Sequence, residues 1–222
     1  MYQLHYINCR NVYPQIVFEF LSKNIKSALQ DGMLSPVQTR SIMQQVADAL
    51  SYLHLSRLEH RDVKPVNIML TLQLTAKLID FGLAKEKKSS QIYLGGANQG
   101  TVLYMAPELF SPEGGDKAVD VYAYGITLYE VVFNVEPYAG MAADDIPAFV
   151  KQGKRPWHAA KAPQLNACDA TMKGLIEACV NAVPSKRPPA GTIVSMLQST
   201  EKVSILIAPI YIYICMYICI YV

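Results

Sequence analysis

Apolar side chains recur at intervals of three and four residues along residues 34–54, LSPVQTRSIMQQVADALSYLH. This spacing places them on one face of an α-helix. The predicted buried face consists of Ile42, Val46, Leu50 and Leu53. Ser35 is a suitable N-cap, Pro36 fits the first helical position, and Gln38 completes a capping box. The pattern therefore predicts one long amphipathic helix starting at Pro36.

Shorter apolar runs predict strands before and after this helix. Residues 15–22, QIVFEFLS, are typical of a buried strand, and residues 67–70 and 76–80 of two more strands around a turn. Residues 119–133, VDVYAYGITLYEVVF, are apolar on nearly every face and predict a helix buried at the centre of a domain. Two further helices are predicted near residues 170–181 and 192–197. The polar, glycine-containing stretch 86–100 predicts a mobile loop.

Composition narrows the class of protein. A net charge of +2 gives no sign of nucleic-acid binding. The five cysteines are scattered without zinc-ligand spacing, and the N-terminus lacks the apolar core of a signal peptide. We therefore predict a reduced, cytoplasmic location.

The C-terminal segment, residues 201–222, accounts for most of the excess of apolar residues. Residues 211–222, YIYICMYICIYV, can be encoded by strict pyrimidine–purine alternation, which favours a translated dinucleotide repeat or a misplaced gene boundary. The alternative is a membrane segment over residues 203–222, which is uncharged and long enough to span. Pro209 and the strand-like Tyr–Ile alternation argue against that alternative. Membrane association is expected only through this segment.

The chemistry of the chain is concentrated in residues 60–70, HRDVKPVNIML. Phosphoryl transfer to a hydroxyl needs a carboxylate to orient the hydroxyl and cations to neutralise the phosphate oxygens. Asp62 can be that carboxylate, and Lys64 can offset charge on the transferred group. Asn67 and Asp80 are oxygen ligands suited to magnesium. A strand–turn–strand between them would bring both to one edge of a cleft.

These residues resemble the signatures of the eukaryotic protein kinases over about residues 4–200. The matching positions are His60-Arg61-Asp62, Lys64-Pro65, Asn67, Asp80-Phe81-Gly82 and Ala106-Pro107-Glu108. Lys64 together with Thr101 resembles the serine/threonine-specific kinases, and the sequences YAYGITLYEVVF and GKRP are similar to the tyrosine-kinase-like group. The resemblance implies an α+β kinase fold: a domain over residues 1–200 with a remnant of the small lobe (1–21) and a mainly helical large lobe (22–200).

The resemblance also implies ATP, Mg²⁺ and a protein substrate as the partners of the site. Asp62, Lys64 and Asn67 would be catalytic, and Asn67 with Asp80 would hold the metal. Phe18 would lie at the back of the adenine pocket. The backbone of Glu19 and Leu21 would pair with adenine. The pocket floor would be Leu70.

Structural and regulatory roles follow from the same resemblance. His60 belongs to the structural set, Asp120 would brace the catalytic-loop backbone, and Glu108 would pair with Arg187. An alternative for Asp120 is a helix N-cap. Arg61 indicates activation by phosphorylation of the loop, because an arginine there can bind an added phosphate. The candidate phosphorylation sites are Ser89, Ser90 and Tyr93. The family often has tryptophan and aspartate where this chain has Val180 and Val183.

The family holds ATP from above with a glycine-rich loop and a lysine that is paired to a helix glutamate. All three would precede residues 15–22, where this sequence has fourteen residues. We therefore expect little phosphotransfer by this polypeptide alone. Two hypotheses follow. The first is an active kinase whose small lobe is encoded upstream. The second is a chain without catalysis, which is either a kinase-like binding or regulatory module or a gene-model fragment.

Overall fold

The computed structural model describes residues 2–8, 15–86, 99–111 and 114–198. These residues form seven strands and seven α-helices, joined by short 3-10 turns. The strands are β1 (Tyr2–Asn8), β2 (Gln15–Phe20), β3 (Lys23–Asn24), β4 (Leu58–Glu59), β5 (Ile68–Leu70), β6 (Ala76–Leu78) and β7 (Lys85–Glu86). The helices are α1 (Ile25–Gln30), α2 (Pro36–Leu55), α3 (Gln99–Val102), α4 (Ala118–Phe133), α5 (Ile146–Lys151), α6 (Ala170–Cys179) and α7 (Ala190–Gln198). The predicted α+β, mainly helical fold is confirmed.

The strands form three small antiparallel sheets within the described residues: β1–β2, β3–β5–β6 and β4–β7. The predicted strands at residues 15–22, 67–70 and 76–80 are confirmed. Strand β1 was not predicted; it pairs with β2 from Tyr2↔Phe20 to Asn8↔Gln15, with an irregularity between Leu4 and Tyr6. Strands β3, β4 and β7 have two residues each, so they are defined by pairing with their partner strands and show no local sequence pattern.

Helix α2 begins as its sequence predicts. The Ser35 hydroxyl accepts the Gln38 amide hydrogen at 3.3 Å, and the Gln38 side chain accepts the Ser35 amide hydrogen at 2.9 Å. These reciprocal bonds satisfy two amides that the helix leaves unpaired. The four predicted apolar positions are all buried, and they join the core that α2 shares with α4 and α7.

Helix α4 lies at the centre of the core, with every residue from Val119 to Val131 buried. Its approach to α6 depends on Gly125, where an added Cβ would lie 2.7 Å from side-chain atoms of both Cys179 and Val180. Val180 is buried here, whereas Val183 is 44% exposed. The core therefore accommodates valine at position 180, and Val183 lies at the surface.

Two predictions fall outside the described residues: the mobile loop, apart from its two ends, and the C-terminal segment, including its possible membrane span. Across the described part of the chain, no helix is both long and apolar enough to cross a bilayer. Helices α1 and α5, each of six residues, were not predicted because they are too short to show a periodic pattern.

Candidate active site

The loop between β4 and β5 is held by one buried carboxylate. Asp120, in the first turn of α4, accepts the backbone amide hydrogens of His60 at 2.9 Å and Arg61 at 2.6 Å. The backbone of Arg61 is in the left-handed region, with φ 68°. A non-glycine residue there is held by its surroundings. The predicted contact between Asp120 and the loop is present, and the N-cap alternative is wrong because α4 is preceded by Lys117 as its cap residue.

A histidine from a third segment also contacts this carboxylate. His54, near the end of α2, has its Nε2 2.8 Å from Asp120 Oδ2. From the sequence, His54 is predicted to be a packed histidine of α2 and not a ligand. Its position on an apolar helical face gives no local signal of a charged partner 66 residues away.

His60 connects the loop to the segment around Asp80. Its Nδ1 accepts the Asp62 amide hydrogen at 3.2 Å, and its Nε2 lies 3.1 Å from the Ile79 carbonyl oxygen. Burial lowers the pKa of His60, which favours the neutral ring with the proton on Nε2. The ring also makes an edge contact with Phe81, with centroids 4.9 Å apart. His60 therefore links two segments predicted to carry the chemistry.

The structure brings Asp62, Lys64, Asn67 and Thr101 together. Lys64 Nζ lies 2.7 Å from Asp62 Oδ2 and donates to Thr101 Oγ1 at 3.0 Å. The Thr101 hydroxyl lies 3.5 Å from Asp62 Oδ1. Asn67 Nδ2 donates to Asp62 Oδ2 at 2.8 Å and to the Asp62 carbonyl oxygen at 2.9 Å. These contacts fix the orientation of the Asp62 carboxylate.

Asn67 and Asp80 flank the hairpin formed by β5 and β6. The Ile79 amide donates to the Asn67 carbonyl oxygen at 2.9 Å, which holds the two ends together. The Asn67 bonds to Asp62 use only its amide nitrogen, which leaves the amide oxygen for a cation. Asp80 is exposed, has φ 66°, and accepts the Gly82 amide hydrogen at 3.2 Å. These two oxygen donors fit Mg²⁺, which binds few protein groups and keeps several waters.

Leu21 and Leu70, the residues predicted for the adenine side of the cleft, lie between β2 and β3 and at the end of β5. Leu21 and Leu70 are buried, and the Ser22 amide and hydroxyl both donate to the Leu70 carbonyl oxygen at 2.9 Å. The segment that carries Leu21 is therefore hydrogen-bonded to the strand that carries Leu70. The backbone of Glu19 lies in β2, opposite Gln3.

Below the loop, Glu108 and Arg187 form the predicted ion pair. Arg187 Nη1 and Nη2 contact the two Glu108 oxygens at 2.5 and 2.8 Å. Arg187 also donates to the carbonyl oxygens of Ala118 at 2.9 Å and Asn181 at 2.9 Å. The pair thus connects the 3-10 turn at Pro107–Phe110 with α4 and the segment before α7.

Arg61 has a partner that the sequence analysis did not foresee. Its Nε donates to Glu59 Oε2 at 2.8 Å, its Nη2 lies 2.7 Å from the same oxygen, and Nη2 donates to the Gly115 carbonyl oxygen at 3.1 Å. The candidate phosphorylation sites Ser89, Ser90 and Tyr93 lie outside the described residues. The role of Arg61 in phosphate binding stays a prediction.

Glu130 is a further buried carboxylate that was not predicted from the sequence. Glu130, on α4, accepts the Tyr104 hydroxyl at 2.5 Å and lies 3.4 Å from Lys26 Nζ, which also contacts Glu136 at 3.3 Å. Burial raises the pKa of Glu130 above its ordinary value. A usable signal was present, because Asp120 and Glu130 are the two acids in an otherwise apolar helix.

Comparisons with known proteins agree with this geometry. The family model described as "Protein kinase domain" matches residues 2–198. The chain is 38% identical over 163 residues to a "Probable LIM domain-containing serine/threonine-protein kinase" of Dictyostelium discoideum, covering 73% of this chain and 24% of that protein. It is 29% identical over 208 residues to "Mitogen-activated protein kinase kinase kinase 7" of Drosophila melanogaster, covering 90% and 29%. With "Serine/threonine-protein kinase TIO" of Arabidopsis thaliana the identity is 37% over 124 residues, covering 55% and 9%.

The fold and the catalytic-loop geometry define a protein kinase catalytic region. Because the family model covers most of its length, the chain belongs to the protein kinase family. It spans less than a third of the length of each of these three relatives.

Proposed function

We propose that this chain carries the catalytic centre of a serine/threonine kinase, which transfers the γ-phosphoryl group of ATP to a hydroxyl of a protein substrate. The observation that carries the proposal is the set of contacts around Asp62. Its carboxylate belongs to the loop between β4 and β5 and is oriented by Asn67 and Lys64. A carboxylate held in this way can orient a substrate hydroxyl and accept its proton, while Lys64 offsets charge on the transferred group.

Magnesium, when bound, would neutralise charge on the phosphate oxygens. Asn67 would hold it through its amide oxygen and Asp80 through its carboxylate, the two donors that the β5–β6 hairpin brings to one edge. Leu21 and Leu70 would contact the adenine ring, with the backbone of Glu19 and Leu21 pairing with its edge. This division of roles assigns nucleotide and metal binding to residues in and beside the strands, and proton transfer to Asp62 in the loop.

Serine or threonine is the substrate hydroxyl that the chain favours. Lys64 donates a hydrogen bond to Thr101 beside Asp62. A lysine and a threonine at these two positions resemble the serine/threonine-specific kinases. Two of the relatives named above carry serine/threonine-protein kinase in their names. Membership of the tyrosine-kinase-like group rests on the sequence of α4 and on GKRP at residues 153–156.

A second candidate, a binding module without catalysis, is favoured by one observation. Strands β1 and β2, YQLHYIN and QIVFEF, contain no lysine that could contact the ATP phosphates. The loss of one such preorganised group costs about 3 kcal/mol of transition-state stabilisation, or roughly a hundredfold in rate. We therefore expect phosphotransfer by the 222-residue chain alone to be weak.

The test measures nucleotide binding and phosphotransfer separately. Calorimetric titration of the 222-residue chain with ATP is expected to give binding with Mg²⁺ and none with EDTA. The change Asp80→Asn should weaken that binding at least tenfold, whereas Asp62→Asn should retain it. With radiolabelled ATP and a generic serine- and threonine-rich protein acceptor, slow labelling is expected and Asp62→Asn should abolish it. Absence of Mg²⁺-dependent binding would support the binding module, and rapid turnover would contradict the expected weak activity.

The protein-level context rests on sequence alone. The cytoplasmic location is inferred from cysteine usage, and the lack of nucleic-acid binding from the net charge. The division into a small-lobe remnant over residues 1–21 and a large lobe over 22–200 follows the resemblance to kinases. Cell fractionation of the tagged full chain, with and without residues 201–222, would test the location and the contribution of the C-terminal segment.

A further inference from the structure

Glu59 is a buried acid immediately before the catalytic loop. Its side chain is 7% exposed, and that of Arg61 is 14% exposed. One Glu59 oxygen, Oε2, contacts both Nε and Nη2 of the Arg61 guanidinium, at 2.8 and 2.7 Å. The same Nη2 donates to the Gly115 carbonyl oxygen. Within the described part of the chain, the Arg61 guanidinium thus makes three contacts, two with Glu59 and one with Gly115.

We propose that Glu59 is a positioning residue that occupies the anion-binding face of Arg61, so that the catalytic loop is ordered without a phosphate on the activation segment. The proposal rests on the proposed function, because it concerns how that site is regulated. A phosphate at Arg61 would make the same charge-assisted hydrogen bonds that Glu59 already makes. It would also place a second anion beside a carboxylate that is shielded from water, which is unfavourable.

The position of Glu59 explains how it can act on Asp62. The Arg61 amide donates to Asp120, and Arg61 lies between His60 and Asp62 with its backbone in the left-handed region. Holding the Arg61 side chain therefore restricts the peptide units on both sides of it. Glu59 also lies opposite Lys85 in the β4–β7 pair. The backbone of Glu59 is thus fixed by a strand pair.

The experiment measures whether removing the Glu59 charge creates an anion site at Arg61. The thermal unfolding midpoint of the 222-residue chain is compared in inorganic phosphate and in chloride at matched ionic strength. The variants are Glu59→Gln and the double variant Glu59→Gln/Arg61→Gln. Glu177→Gln is the matched control, because Glu177 is a half-exposed acid 3.9 Å from Lys173 and its removal changes net charge equally.

Phosphate is expected to raise the midpoint of Glu59→Gln by roughly 3–6 °C when it is about tenfold above its dissociation constant. The wild type, the double variant and Glu177→Gln should show no such rise. The proposal is overturned if the wild type responds to phosphate and the double variant does not, or if Glu59→Gln shows no response. Should Glu59→Gln fail to fold, the wild type and the double variant decide: equal responses support the proposal, and a response confined to the wild type refutes it.

This measurement needs neither ATP nor phosphotransfer. A chain without kinase activity can still give the expected phosphate response, and an active kinase can fail to give it. The two proposals therefore fail independently.

Discussion

Replacement of Asp120 by asparagine tests the contact between α4 and the backbone of the catalytic loop. The carboxylate is fully buried and accepts three hydrogen bonds: two from the amides of His60 and Arg61, and one shared with His54. Asparagine has nearly the same shape but only one oxygen. In either orientation of the side-chain amide, its NH₂ group faces one of the two backbone N–H groups, which then has no acceptor.

The magnitude follows from these contacts. A buried donor left without an acceptor costs about 1–3 kcal/mol, and the remaining bonds lose the assistance of the negative charge. We expect Asp120→Asn to lower the free energy of unfolding by about 2–4 kcal/mol, a large part of the roughly 5–15 kcal/mol typical of a domain. His54 moderates the loss, since its ring can change tautomer and accept from the new amide.

Urea denaturation followed by circular dichroism gives the free energy of unfolding. Asp116→Asn is the matched control, because Asp116 is an exposed acid just before α4 whose carboxylate, among the residues that the structure describes, accepts the Ala118 amide hydrogen alone. A difference below about 1 kcal/mol between the two variants would refute the reasoning, because it would mean that the loop amides find other acceptors.

Three further predictions concern stability. Gly125→Ala should lower the free energy of unfolding by about 1–3 kcal/mol, because the added Cβ would lie 2.7 Å from residues at the C-terminal end of α6. Gly174→Ala is the control: Gly174 is exposed in α6 with open space around it, so this change should raise the free energy of unfolding by about 0.5–1 kcal/mol. Equal effects in thermal melts would contradict the tight packing. Burial raises the pKa of Glu130 above 4.5, so the folded state keeps the Glu130 proton to higher pH than the unfolded state does. The stability of the wild type relative to Glu130→Gln should therefore be greatest below pH 4.5 and fall as the pH rises above it. A stability difference that stays flat or rises in urea titrations from pH 4 to 7 would exclude this. Arg187→Met should cost about 3–5 kcal/mol by leaving Glu108 unpaired, and a loss below about 1 kcal/mol, measured with urea, would show that the pair is dispensable.

The sequence was sufficient wherever structure depends on local pattern. The capped start of α2 and its apolar face follow from spacing and from the residue types at the helix start. The kinase motifs located the loop that bears Asp62 and the hairpin that brings Asn67 to Asp80. These features involve residues that are close in sequence or strongly constrained in type, so one sequence indicates them.

What the sequence did not reveal depends on partners that are distant along the chain or unusual in type. His54 meets Asp120 across 66 residues, and Glu130 meets Lys26 across an even longer stretch of sequence. No periodicity encodes such pairs. Glu59 and Arg61 are close in sequence, but the His60-Arg61-Asp62 motif does not include Glu59 and so gives no sign of their contact. Strand β1 was missed because it is defined by pairing with β2.

The β5–β6 hairpin has a consequence for the order of events in refolding. Its Ile79–Asn67 hydrogen bond joins residues twelve positions apart, whereas the amides of His60 and Arg61 are hydrogen-bonded to a carboxylate about sixty positions away. Short loops close at lower entropic cost, so Asn67 and Asp80, the proposed oxygen donors for Mg²⁺, should assemble before the loop that carries Asp62, the proposed base. In pulsed hydrogen exchange, the Ile79 amide should become protected ahead of the other two; simultaneous protection would contradict this order. Until the distant carboxylate is in place, the chain would hold the parts of a magnesium site without the geometry for proton transfer.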